Sequence, residues 1–334
     1  MHMADALVSP QVAGTMIGLS AIAAAVSIKK ISKEDNTKKV ALMGVMGAFV
    51  FATQMVNFTI PGTGSSGHLC GGFLLSAILG PYAGFLTMIG VLLIQALFFA
   101  DGGLLAFGCN VWNMAFYGCF FGALCVWKPM MKKSCNIGKI IAASVIGCVV
   151  SLEFGALSVT LETLISGITE LPFGTFVAAM LPIHLAIGLV EGLISAAVLC
   201  FLYKSRPDFL WEVGEKSEGK LSVKNTFIVL VVVCVVIAAG VSLLASSNPD
   251  GLEWSIQKLT GSTELESSGK IYEDLSNVQQ STSFLPDYAL KDNDSVAGTS
   301  LSGVVGSAIV FAILAGIGMI KVLIQKNKKK KVNE

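Results

Sequence analysis

Charge is scarce in this sequence. Asp, Glu, Lys and Arg make up 13% of its 334 residues, against roughly 25% in soluble domains. Histidine is scarcer still: His2, His68 and His184 are the only three. The eight cysteines (Cys70, Cys109, Cys119, Cys125, Cys135, Cys148, Cys200, Cys234) lie mostly inside apolar runs, and no two form a CxxC pair. That pattern excludes a disulfide framework and a zinc ribbon, and reads as small buried hydrophobes. No HExxH or Ser-His-Asp arrangement occurs. The nearest approach to a phosphate loop, Gly214-Glu-Lys-Ser-Glu-Gly-Lys-Leu221, ends in Leu where Ser or Thr is needed and has no βαβ context. The chain therefore reads as no enzyme and no ATPase, and no organic cofactor or nucleic-acid partner is expected. Strong apolar-polar alternation is missing too, which argues against a β-barrel.

What is present is apolar length. Hydrophobic residues are 54% of the chain, and about 20 in a row span a bilayer as a helix. The expected fold class is all-α, a polytopic transmembrane bundle in lipid. Helices are read at 9–28, 39–58, 69–79, 81–100, 103–127, 139–164 and 173–203, then a two-helix hairpin at 226–246 and 302–325. The third helix is short, and Pro81 breaks it from the fourth. The expected domains are a seven-helix core over 1–205, a cytoplasmic linker over 206–225, a hairpin domain over 226–325 and a Lys-rich tail over 326–334.

Basic residues set the orientation. Segments 29–39, 128–139, 204–225 and the tail from 321 hold 20 of the 23 Lys and Arg residues. These are placed in the cytoplasm, with the N-terminus outside and the C-terminus inside a prokaryotic inner membrane. Lys29 and Lys30 follow the first apolar run rather than precede it, so residues 1–30 read as a retained helix and not a cleaved signal. Residues 247–301 then form an external loop with nine acidic and three basic residues. It is too polar for a large core of its own. Its charge can concentrate cations or serve solubility alone.

The orientation puts His2 and His68 on the same outer side. A free amine at Met1, the His2 amide nitrogen and the His2 imidazole close a five-membered and a six-membered chelate ring around one metal. The amide must lose its proton, which calls for a polarising ion. A planar nitrogen set suits Ni(II) or Cu(II) better than Zn(II) or Mg(II). His68, in a Gly/Ser loop, supplies a fourth nitrogen; such a loop can fold closely over an ion. The plain alternatives are a chance Met-His start and a helix-capping histidine. His184 and Glu191, seven apart, share one helix face as interhelical bonding groups, outer partners of the site or transit ligands. Asn110 and Asn113 share another face; they bond neighbouring helices or orient a metal-binding histidine. Gln54, Gln95, Glu153 and Glu162 are further polar residues inside spans.

The stretches Met1-His-Met-Ala-Asp-Ala-Leu7, Ser66-Gly-His-Leu-Cys-Gly-Gly72, Asn110-x-x-Asn-Met114 and His184 to Gly192 together resemble the CbiM/NikM family. These are substrate-binding membrane components of energy-coupling-factor cobalt and nickel importers. The resemblance covers about 1–205. It implies Co(II) or Ni(II) as the transported substrate, held by the Met1 amine, the His2 amide and imidazole, and His68. It also implies a transmembrane coupling (T) component and two cytoplasmic ATPases as partners. Pro249-Asp-Gly-Leu-Glu-Trp254 resembles the PDGLE domain, which is similar to the small CbiN/NikN subunit and implies help in delivering metal. Two other classes compete: a membrane metal sensor or chaperone, and a secondary cation carrier using Glu153, Glu162, His184 and Glu191. Cobalt and nickel are not told apart.

Overall fold

The computed structural model describes residues 1–33, 37–213, 220–290 and 296–333. Parts of the linker, Lys291 and Glu334 of the tail lie outside the described residues, as does most of Gly214–Leu221.

Eleven α-helices carry the described chain. They are α1 (Pro10–Ile31), α2 (Thr37–Gln54), α3 (Gly72–Leu79), α4 (Pro81–Phe98), α5 (Phe107–Met131), α6 (Ile137–Ser166), α7 (Phe173–Ser205), α8 (Val223–Ala239), α9 (Gly251–Thr260), α10 (Lys270–Thr282) and α11 (Val296–Asn333). Over Val111–Trp127, α5 takes the wider π form. Local signals fix several ends. Proline opens α1 and α4 at the first helical turn, where its missing N–H costs nothing. The Asn136 side chain caps the start of α6, and Gly167 at φ +62° ends it, as left-handed C-caps commonly do.

Among the described residues, seven helices are long and apolar enough to cross a membrane: α1, α4, α5, α6, α7, Val223–Leu244 and Gly298–Gly316. The all-α polytopic architecture is thus as the apolar runs dictate. Small residues bring the helices together. A Cβ on Gly188 or Gly192 of α7 would meet the Val149 or Val145 Cα of α6 at 2.9 and 2.6 Å. α8 and α11 pair as a hairpin, with Gly303 against the Ala238 main chain. The hairpin packs on α2 and α4 through Phe51, Met55, Val91, Ile94, Val310 and Leu314.

One expectation changes, and the short third helix is as expected. The second helix ends at Gln54 rather than 58, because Phe58–Ile60 is a strand (β1) pairing antiparallel with Ser65–Gly67 (β2). The third helix has only eight residues, all buried. It is no full span. The loop after β2 already carries the chain into the bundle, so eight residues cover the remaining depth. The chain then reverses at Gly80-Pro81, which lays Gly84 against the Ser76 main chain.

Candidate metal centre

The N-terminal nine residues enter the mouth of the bundle as a plug. Met3 is 0% exposed and Met1 6%. Their course is set through the main chain. The Met3 N–H donates to Asn110 Oδ1 at 2.7 Å, and Asn110 Nδ2 donates back to the Met3 carbonyl at 3.1 Å. The Gly103 N–H donates to the same carbonyl at 2.9 Å. Asp5 Oδ1 accepts from the Ala106 N–H at 2.9 Å. Gly103 has to be glycine for this approach: a Cβ there would lie 1.7 Å from Asp5 Oδ1.

The His2 ring is oriented by a relay of amides. Gln54 Nε2 donates to the Cys70 carbonyl at 2.9 Å, and Gln95 Nε2 donates to Gln54 Oε1 at 3.0 Å. Gln95 Oε1 is thereby left as an acceptor, 3.2 Å from His2 Nε2. A carbonyl oxygen can only accept, so this contact favours the tautomer with the proton on Nε2 and the lone pair on Nδ1. Nδ1 is the nitrogen that the six-membered chelate ring requires. It lies 3.2 Å from Asp101 Oδ1, and Asp101 accepts from the Tyr288 hydroxyl at 2.5 Å. Burial raises the Asp101 carboxyl, and the Tyr288 hydroxyl bond opposes that shift.

His68 follows the same logic. Its Nδ1–H donates to the Leu69 carbonyl at 2.9 Å, leaving Nε2 free as a ligand. The His2 and His68 rings stack with centroids 5.4 Å apart. The loop carrying His68 is pinned from below by Glu191 of α7, whose two oxygens accept from the Cys70 and Gly71 N–H groups at 2.9 Å each. It is pinned from above by the segment before α9. There the Ser66 N–H and hydroxyl donate to the Pro249 and Asn248 carbonyls at 2.8 and 2.7 Å. Trp254 Nε1 donates to the Thr63 carbonyl at 3.0 Å.

The Met1 ammonium pairs with the Asp250 carboxylate. Asp250 Oδ1 meanwhile caps α9, accepting from the Leu252 and Glu253 N–H groups at 2.8 and 2.9 Å. His68 Nε2 is 3.9 Å from Asp250 Oδ2. Burial lowers the amine, but the charge and hydrogen bond of Asp250 together with the charges of Asp101 and Glu253 outweigh it and hold the amine above its ordinary 8.0. Burial likewise opposes ionisation of Asp250, and the charge and hydrogen bond of the ammonium, with His68 and the Glu253 N–H, together override it and keep the carboxyl below its usual range. Burial, then the ammonium charge, lowers His2 to about 3 and His68 to about 4. Both imidazoles are therefore neutral at physiological pH. Outside them, His2, Asp5, Asp101, Asp250, Glu253 and Asp287 border a cavity of about 380 Å³. Among the described residues no three His, Cys, Asp or Glu side chains form a metal cluster. A chelate built on the terminal amine and a main-chain amide needs none.

The other sequence candidates have different partners. Asn110 holds the Met3 main chain rather than a histidine. Asn113 Nδ2 contacts Met3 Sδ at 3.4 Å and donates to Glu162 at 2.7 Å, so it supports the plug, not the ligand rings. His184 lies below His68 and bonds the Met180 carbonyl. Sequence reasoning missed Asp250 and Asp101 and noted Gln54 and Gln95 only as polar residues. The Asp250-x-x-Glu253 spacing did carry a helix-start signal, a capping box. Nothing local ties that aspartate to Met1, 249 positions away.

Residues 2–209 match the family described as cobalt uptake substrate-specific transmembrane region. The chain belongs to this cobalt-uptake family. Residues 224–322 match the PDGLE domain. An Archaeoglobus fulgidus protein named as a fused nickel transport protein, NikMN, is 34% identical over 94% of this chain and 96% of its own length. A fused nickel transport protein of Lactiplantibacillus plantarum, LarMN, is 30% identical over 78% and 79%. The Geobacter sulfurreducens cobalt transport protein CbiM is 28% identical over 78% and 77%. The solved structure of a transition metal transporter matches with TM-score 0.54 and 32% identity, covering 61% of this chain and 93% of that one. A truncated transition metal transporter gives 0.53, with 60% and 98% covered. The chain is thus a multi-pass membrane component of the cobalt and nickel transport family.

Proposed function

We propose that this chain captures Co(II) or Ni(II) at the external face for an ATP-driven importer of the energy-coupling-factor type. The ligands are the Met1 amine, the His2 amide nitrogen and Nδ1, and His68 Nε2. The observation that carries this reading is the amide relay through Gln54 and Gln95, which leaves the lone pair of His2 on the chelating nitrogen. Such outer hydrogen bonds commonly fix the tautomer of a metal-binding histidine. Metal binding displaces the amine proton from Asp250 and removes the amide proton, so two protons leave for each ion bound. The acidic cavity beside His2 raises the local cation concentration. Asn110 and Asn113 position the plug, Glu191 holds the His68 loop and His184 lies beneath it.

In this reading 1–205 is the metal-binding domain and 206–225 a cytoplasmic linker. Residues 226–325 form the hairpin domain, whose segment around Asn248–Asp250 closes over the site, and 326–334 are a tail. The N-terminus is external and the C-terminus cytoplasmic, in keeping with the basic segments. Transport uses a transmembrane coupling component and two cytoplasmic ATPases. The carrier alternative is disfavoured because both oxygens of Glu191 are taken by loop N–H groups. The test is cellular metal uptake with the partner subunits co-expressed, their ATPases intact or inactivated. Uptake that stops with the inactive ATPases supports an importer component. Uptake that continues points to a carrier, and binding without any uptake to a sensor.

A further inference from the structure

His184 has no part in the ligand set above, yet it is built like a ligand. It lies on α7 two residues after Pro182 and is 1% exposed. Its Nδ1–H donates to the Met180 carbonyl at 2.8 Å. That bond fixes the proton on Nδ1 and leaves Nε2 as a lone pair, and Nε2 has no hydrogen-bond partner among the described residues. A metal-binding histidine typically donates its other nitrogen to a carbonyl or carboxylate in this way. A buried polar atom left unpaired is uncommon and calls for an occupant.

His184 lines a small cavity of about 10 Å³ together with Met1, His68, Cys70, Met114 and Asp250. That is room for one water, and so for one bare transition-metal ion. A second space of about 10 Å³ adjoins it, sharing Cys70, Met114 and Leu152 and adding Cys148 and Glu191. The two form a file leading inward from the N-terminal site, with imidazole, sulfur and carboxylate groups in its walls. Imidazole and sulfur suit cobalt and nickel better than they suit magnesium or calcium.

We propose that His184 Nε2 is the ligand of a second, weaker metal station immediately beneath the N-terminal chelate. The inference rests on the import reading only for the direction of travel. Among the described residues no three side-chain donors form a metal cluster, so the station holds its ion loosely. Loose binding lets an ion move on from a site it has entered.

The test is titration of the purified full chain with Co(II) and with Ni(II), counting bound metal and its affinity classes. Wild type takes one tight and one weaker ion. His184→Gln weakens the second class at least tenfold and leaves the tight class within about threefold. His184→Cys, which restores a soft ligand, recovers the weaker class. Gly251→Ala keeps the histidine but places a Cβ 3.2 Å from Nε2, and it also removes the weaker class, so the test does not hang on one variant's folding. One Ala inserted after Met1 removes the tight class and spares the weaker one. A wild type with the tight class alone overturns the station and leaves the chelate standing. A wild type with the weaker class alone does the reverse. His184→Gln that loses neither class, or both, also overturns the station.

Discussion

Replacing Gln95 by Met keeps length and volume but removes both ends of the amide relay. Two buried groups lose their partners: the Nε2–H of His2 and the Oε1 of Gln54. Each unsatisfied buried group costs about 1–3 kcal/mol, so the metal-free protein should lose roughly 2–6 kcal/mol of stability. The effect on metal is separate. Without an acceptor at Nε2, the His2 proton is free to move to Nδ1, where it blocks the chelating lone pair. Loss of such an outer partner lowers metal affinity about 10–100-fold, which is roughly 1.4–2.8 kcal/mol of binding. Calorimetric titration with Ni(II) and Co(II) reads the second number, and thermal unfolding of the metal-free protein reads the first. Gln95→Glu is the control, since it keeps an acceptor for Nε2–H and should stay within about tenfold of wild type. A folded Gln95→Met that binds with wild-type affinity refutes the argument that the relay selects the ligand nitrogen.

Metal affinity should rise with pH. The imidazoles, lowered to about 3 and 4, contribute nothing above pH ~5, but the amine and the amide must each release a proton. Two protons give about a hundredfold gain per pH unit until the ammonium has lost its proton in the metal-free protein, then about tenfold; a titration series that is flat with pH removes the amine and amide from the ligand set. In the metal-free protein the amine lies above 8.0 and Asp250 below 3.8. The stability from their pair is therefore full between those values. It is lost as pH rises through the amine's folded value or falls through that of Asp250, and pH-dependent unfolding of Asp250→Asn should lack both limbs. Glu191→Gln retains at most one of two loop bonds and should cost about 1–3 kcal/mol, with a weaker hold on His68 seen as an affinity loss of about tenfold; unchanged unfolding and binding would assign Glu191 no part in holding the loop. Gly103→Ala should displace the plug and lower affinity at least about tenfold, the scale for disturbed outer contacts of a metal site. Gly14→Ala, with nothing within 4 Å, should bind as wild type does, and equal binding by the two variants would contradict the close approach at Asp5.

The membrane class and most helices could be read from apolar run lengths, because a span is a local property. The misjudged stretch, the end of α2, is one where depth rather than length decides. A loop that dives into a bundle looks like any Gly/Ser loop in sequence. Met1, His2 and His68 were legible as candidate donors because chelate ring size follows from covalent geometry. Their supports were not. Asn110 and Asn113 sit on one face as their spacing requires, but spacing gives a direction and not a partner, and the partner is Met3. The polar stretch after α8 suggested little core of its own, yet α9 and α10 bury Leu252, Ile256 and Tyr272. They achieve this by borrowing the surface of the seven-helix core at the mouth of the site.

In the proposed site the metal is held by a chelate beginning at the terminal amine. Its most direct test is the metal affinity of the purified chain beside a variant with one Ala inserted after Met1. The insertion keeps every side chain and moves the histidine out of chelate register. The account predicts one tightly bound Co(II) or Ni(II) in the wild type and none held tightly in the variant, with the preferred ion naming the substrate. Equal tight binding by both chains would contradict it.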